Sequence, residues 1–140
     1  MDTATQSSNG TGSFLQVFVV EDSAPVRERL LEMLASIEGA TCAGLADTAE
    51  EATGKILLAN PDAVILDIGL SQGSGFDVLR ALQKDSTDIP VYVLSNHSTE
   101  PYRRLAMKLG AAAFFDKTTQ IDELRALLKR DASHRIHAAH

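Results

Sequence analysis

Four short apolar runs in this chain each lead into a residue able to do chemistry. LQVFVV runs into Glu21 and Asp22, AVIL into Asp67, VYVL into Ser95, and AAFF into Asp116 and Lys117. Charge scattered over a surface would not follow the ends of apolar runs so closely. Carboxylates crowded onto one edge repel, and the usual remedies are a raised pKa or a bound cation. Oxygen ligands of this kind suit Mg²⁺ or Mn²⁺, and Mg²⁺ typically adds waters and phosphate oxygens to one or two carboxylates. A hydroxyl at Ser95 and an ammonium at Lys117 would then hold the remaining oxygens of a phosphoryl group. A carboxylate flanked by a cation and an ammonium is set up as a nucleophile, with an aspartyl-phosphate as product. Asp67 is the best candidate, because it opens the glycine-rich stretch GLSQGSG at 69–75.

These residues need elements that bring them to one place. The runs at Leu15–Val20, Ala63–Leu66 and Val91–Leu94 are short, β-branched and continuously apolar. Continuous hydrophobicity, without alternation, marks strands buried on both faces, as in a parallel sheet. Weaker runs at Thr41–Leu45 and Ala112–Phe115 complete a set of five. Each run precedes an amphipathic stripe: Val26, Leu30, Met33, Leu34 and Ile37; then a segment opened by Thr48 and Glu51 in capping-box spacing. Phe76, Leu79 and Leu82 stripe the third helix, Tyr102, Leu105, Ala106 and Leu109 the fourth, and Ile121, Leu124, Leu127 and Leu128 the fifth. Thr119 with Asp122 also has capping-box spacing. Gly39 and Gly110 are natural helix stops. The alternation predicts an α/β fold of five βα units, with helices on both faces of the sheet. In such sheets ligands bind outside the carboxyl ends of the strands, where the polar residues fall.

The set Glu21-Asp22, Asp67 with Gly75 eight residues on, Ser95 and Lys117 resembles the receiver domain of two-component response regulators. The resemblance covers residues 14–130 in order and spacing. It implies a doubly wound, flavodoxin-like (βα)5 parallel sheet with strand order 2-1-3-4-5 in a three-layer α/β/α sandwich. It also implies that Asp67 accepts a phosphoryl group from a sensor histidine kinase or a histidine phosphotransfer protein. By the same resemblance Asp22 and Asp67 would bind Mg²⁺ directly, with Glu21 acting through water and the Gly69 carbonyl as a further ligand. Ser95 and Lys117 would contact the phosphoryl oxygens. Phe114 falls where the family keeps a switching aromatic coupled to Ser95, and signalling would leave through the face of the fourth helix, fifth strand and fifth helix.

The chain departs from the family at three places. Ser71 stands where the family often has proline. Thr118 follows Lys117 where proline is common, which predicts a trans peptide or a reshaped loop. Phe114 lacks the hydroxyl of the more usual tyrosine.

Composition narrows the alternatives. The 140 residues carry 13 basic and 19 acidic side chains, a net charge of −6. That length suits one domain, and that balance argues against a nucleic-acid binder. The single cysteine, Cys42, fits a reducing cytoplasmic compartment and reads as a small buried hydrophobe. No apolar run is long enough to span a membrane, and the start lacks the features of a secretory signal. Residues 1–13 and 131–140 read as flexible tails around a receiver at 14–130, with no room for an output module, and as a monomer or a phosphorylation-linked dimer. Asp116 is expected to face solvent beside Lys117. Arg103 and Arg104 read as a solvated helix face or a modest interface. His134, His137 and His140 read as a solvated tail, and His97 as a neighbour that could tune water access. Two competitors share parts of the pattern. A haloacid-dehalogenase-like phosphohydrolase would carry a second aspartate where this chain has Gly69, and a phosphorylation-independent adaptor would keep only the fold.

Overall fold

The computed structural model describes residues 14–70, 73–96 and 99–138, with the side chains of the last helix described as far as Arg135. The expectations for residues 1–13, Ser71, His97, His140 and the side chain of His137 lie outside the described residues. Five strands, β1 (Leu15–Val20), β2 (Ala40–Ala46), β3 (Ala63–Asp67), β4 (Val91–Ser95) and β5 (Ala113–Asp116), pair in parallel in the order β2-β1-β3-β4-β5. Between and after them run α1 (Ala24–Ala35), α2 (Ala49–Ala59), α3 (Gly75–Lys84), α4 (Glu100–Lys108) and α5 (Ile121–Ala138).

Strand alternation divides the core in two. Phe18, Val20, Val64, Leu66, Val93 and Phe114 pack with α2, α3 and the single buried residue of α4, Ala106. Val17, Val19, Ile65, Tyr92, Leu94 and Phe115 pack on the other face with α1 and α5. Both adjacent phenylalanines are therefore core, one in each layer. All five residues of β3 and of β4 are buried, which is why these runs read as continuously apolar. Burying such side chains contributes roughly 1.5–3 kcal/mol each.

Caps set the helix starts. Ser23 accepts from the Val26 amide at the start of α1, and Thr48 accepts from the Glu51 amide at the start of α2. A reciprocal capping box forms at α3, between Ser74 and Asp77. At α5 the Thr119–Asp122 box expected from spacing is not the arrangement observed. The helix begins at Ile121, and the Thr118 and Thr119 amides donate to the Asp116 carboxylate instead.

Three further expectations are corrected. The boundary at residue 130 falls inside α5, which continues to Ala138. The reason is packing: Leu124, Leu128 and Ala132, each 0% exposed, continue one stripe at four-residue spacing. Polar contacts hold the extension, since the Tyr92 hydroxyl donates to Asp131 at 2.8 Å and the Arg135 guanidinium pairs with Asp62 at 3.2 Å. The expected stripe on α4 is thin, with Tyr102 exposed and Leu105 and Leu109 half-buried. Cys42 is half-buried.

Candidate functional site

The sheet reverses its winding between β1 and β3, and the acidic groups gather at that carboxyl edge. Asp67 closes β3, next to β1. Glu21 and Asp22 follow β1 directly, and Lys117 follows β5. Continuing each strand's alternation puts Glu21, Asp67 and Lys117 on one side, while Ser95 shares the side of Val91, Val93 and Phe114. One glycine is needed for this closeness. A Cβ on Gly75 would lie 2.5 Å from Ile68 Cα and 2.6 Å from the Asp67 carbonyl oxygen, both backbone atoms, so α3 can approach the end of β3 only without a side chain there.

The Lys117 ammonium sits between two carboxylates. Its Nζ donates to Asp67 Oδ2 at 3.0 Å and to Glu21 Oε2 at 3.3 Å, and lies 3.0 Å from Glu21 Oε1 as an ion pair. Asp67 Oδ1 accepts from the Gly69 amide at 2.9 Å, and Glu21 Oε2 also accepts from the Ser23 amide at 3.1 Å. Glu21, Asp67 and Ser95 are all buried. Burial, and then the charge of Asp67, push the Glu21 carboxyl up to about 7, against the opposing pull of the Ser23 amide and of Lys117. For Lys117 burial works downward, but the hydrogen bonds to Asp67 and Glu21 and their charges outweigh it, and its pKa is raised.

The donor set fits a divalent cation. Glu21, Asp22 and Asp67 each offer a carboxylate oxygen, and the three lie within 4.8 Å of one another. Glu21 Oε1 is buried and meets the Lys117 ammonium at 3.0 Å as an ion pair rather than through an aligned hydrogen bond. A carboxylate oxygen has lone pairs beyond the one turned to that ammonium, and a bound cation or an ordered water would use them. Hard oxygen donors at this spacing suit Mg²⁺ or Mn²⁺.

Several supporting residues carried no clear signal in the sequence. Ser23 serves twice, as N-cap of α1 and as donor to Glu21. Arg27 donates to the Glu21 carbonyl at 3.0 Å and so holds the β1–α1 loop. Asp116, expected to face solvent beside Lys117, is half-buried and engaged: one carboxylate oxygen takes the Thr118 amide at 2.8 Å, the Thr118 hydroxyl at 2.6 Å and the Thr119 amide at 3.1 Å. This turn orients the loop after Lys117 without proline. The Lys117–Thr118 peptide is trans, since no cis bond occurs among the described residues. Arg104 is solvated as expected, but Arg103 is not simply so: its guanidinium lies 4.9 Å from the centre of the Phe114 ring. Spacing puts Arg103 on the side of α4 that carries Ala106, three residues on, but does not place it over Phe114. Beside Lys117 a groove opens between α1 and the start of α5, lined by Val26, Arg29, Leu30, Asn96, Thr118 and Ile121.

This fold and carboxyl-edge site define a class that comparison with known proteins confirms. The response regulator receiver domain family model matches residues 17–129, and the chain belongs to that family. Among curated relatives, it is 31% identical over 110 residues to the response regulator GacA of Pseudomonas aeruginosa, covering 79% of this chain and 51% of that one. It is 36% identical over 108 residues to a protein-glutamate methylesterase/protein-glutamine glutaminase of Anaeromyxobacter dehalogenans, covering 77% of this chain and 31% of that one. The chain thus spans about half the length of GacA and less of the methylesterase. Among solved structures, the receiver domain of the putative response regulator NarL from Mycobacterium tuberculosis aligns with a TM-score of 0.78 at 24% identity, covering 87% of this chain and 98% of that one. The response regulator domain of Thermotoga maritima CheB aligns with a TM-score of 0.74 at 22% identity, covering 89% and 97%. These two likenesses bear out the fold. No helix among the described residues is long and apolar enough to cross a membrane.

Proposed function

We propose that Asp67 is the phosphoacceptor of a two-component signalling switch. The observation that carries this reading is the Lys117 ammonium held 3.0 Å from a buried Asp67 carboxylate, beside two further carboxylates whose oxygens lie within 4.8 Å of it and of one another. A carboxylate oxygen of Asp67 attacks phosphorus, the phosphorus–nitrogen bond to the donor histidine breaks, and the electron pair leaves on the imidazole. Lys117 neutralises charge on the transferred oxygens, and the Ser95 hydroxyl receives one of them as it settles on Asp67. The Gly69 amide, bound to Oδ1, keeps the carboxylate aimed. Asp22, Asp67, Glu21 through water and the Gly69 carbonyl would hold Mg²⁺, or Mn²⁺ in its place. When bound, the cation offsets the negative charge that the carboxylates and the phosphoryl group bring together.

The donor is a sensor histidine kinase or a histidine phosphotransfer protein, and the chain acts as a phosphoacceptor in the cytoplasm without turnover chemistry of its own. The new phosphoryl group is read through Ser95 and Phe114, and the downstream protein binds the α4–β5–α5 face. The single buried residue of α4 supports this, because an element anchored so lightly shifts at small cost. The test is Mg²⁺-dependent labelling of the chain by acetyl phosphate, with the modified residue located by peptide mass. Asp67→Asn abolishes labelling; equal labelling of this variant and the wild type would reject Asp67 as acceptor.

A further inference from the structure

Lys117 is held at its backbone as well as at its ammonium, and different residues supply the two restraints. Its amide donates to the Ser95 carbonyl at 2.9 Å, which ties it to the end of β4. Beyond it the chain must turn at once into α5, and Thr118 lacks the ring by which a proline would fix its own φ. The Asp116 side chain provides the restraint instead. Its Oδ1 accepts from the Thr118 amide, the Thr118 hydroxyl and the Thr119 amide, all at 3.1 Å or less. A short polar side chain bonded to the backbone two residues on closes a turn in this way. The Asp116 amide also donates to Gln120 Oε1 at 2.8 Å, and its carbonyl accepts from the Gln120 amide at 3.0 Å. Neighbours on an extended segment point to opposite sides. Asp116 therefore grips the backbone after Lys117, while the lysine side chain, 9% exposed, runs the other way to Asp67 and Glu21.

We infer that Asp116 is a positioning residue for phosphoryl transfer: its carboxylate fixes the turn at 118–119 and so holds Lys117 where its ammonium reaches Asp67. This rests on the reading of Lys117 as the group that neutralises charge on the transferred oxygens. Lysine carries its ammonium on a long, flexible stem, so a displaced backbone gives it other places to go than between two carboxylates. Asp116 acts here as an acceptor and not as a charge. An amide oxygen at 116 would accept the same three bonds, whereas a methyl group would accept none.

The test applies two measurements to the full chain. In the first, trace acetylation by acetic anhydride in chelator compares Lys117 with the exposed Lys84 and Lys129 by peptide mass. Asp116→Ala should speed acetylation of Lys117 about two- to tenfold relative to those two, the release expected when one hydrogen bond of ordinary net strength is lost. In the second, with saturating Mg²⁺, acetyl phosphate should label Asp116→Ala about 10- to 100-fold more slowly than wild type, the cost of a displacement of about 1 Å at a reacting centre. Asp116→Asn should stay near wild type in both. Thr118→Val removes only the hydroxyl's bond and should fall between wild type and Asp116→Ala, and it carries the test if Asp116→Ala does not fold. Lys117 no faster in Asp116→Ala, all three lysines faster together, or Asp116→Asn as impaired as Asp116→Ala overturns the inference while leaving Asp67 as acceptor. A freed Lys117 with unchanged labelling instead rejects the part of Lys117 in transfer, and with it the inference.

Discussion

Replacing Glu21 with glutamine should make the metal-free protein more stable, although Glu21 is wholly buried and ion-paired. Its carboxyl moves from an ordinary 4.5 to about 7 on folding, because burial and the charge of Asp67 disfavour the ionised form. A group whose pKa rises on folding contributes stability fully below the unfolded value and loses it as pH climbs through the folded value. The 2.5 units between 4.5 and 7, at 1.36 kcal/mol each, set a cost of about 3 kcal/mol that is complete above pH 8. Glutamine has the same shape, carries no charge, and can still accept from the Ser23 amide or Lys117. Urea unfolding followed by circular dichroism, in chelator, should show Glu21→Gln within about 0.5 kcal/mol of wild type at pH 4.5 and more stable by about 1–3 kcal/mol at pH 8. The lower end allows for the weaker bond an amide makes to Lys117. Taking the difference between the two proteins removes the titration of other carboxylates. Added Mg²⁺ should then stabilise wild type more than the variant, because binding to the folded state adds stability in proportion to affinity. A variant less stable than wild type at pH 8 in chelator, or a difference that does not change with pH, would refute the account of Glu21.

Lys117→Met leaves Glu21 and Asp67 buried without their shared cation; in chelator it should lose about 3–5 kcal/mol by urea unfolding, and Mg²⁺ should recover part of that loss. Gly75→Ala drives a Cβ into the backbone of Asp67 and Ile68, so a thermal melt should show a loss of about 1–3 kcal/mol, together with slower acetyl phosphate labelling as Asp67 is displaced. Tyr92→Phe strands the Asp131 carboxylate and should cost about 1–2 kcal/mol. Amide hydrogen exchange should speed up in the last two turns of α5 while the first two turns stay near wild type.

Much of the molecule was legible in residue type and order. Continuous apolar runs that precede helical stripes leave a parallel sheet with helices on both faces as the simplest packing, because strands buried on both sides need cover on both sides. Once the sheet is parallel, whatever follows each strand shares one edge, so Glu21, Asp22, Asp67, Ser95 and Lys117 were readable as one constellation. The four-residue stripe Leu124, Leu128 and Ala132 was equally readable past residue 130, and only the polar composition of DASHRIHAAH obscured it.

Other features depend on contacts that chain order does not contain. Lys117 meets Asp67 across 50 residues and Glu21 across 96, so which carboxylate oxygen is paired and which is left without a hydrogen bond is decided by three loops folding together. Asp116 orders the loop after Lys117 because Thr118 turns back onto it, a choice that strand alternation cannot foresee. Arg103 looked like surface charge until α4 settled over Phe114. The sequence by itself determined which groups reach the edge of the sheet, because strand direction and side-chain alternation are local. Their distances, their pairing and the raised pKa of Glu21 were decided by tertiary structure alone, because burial and charge–charge repulsion arise only when distant segments share one small volume.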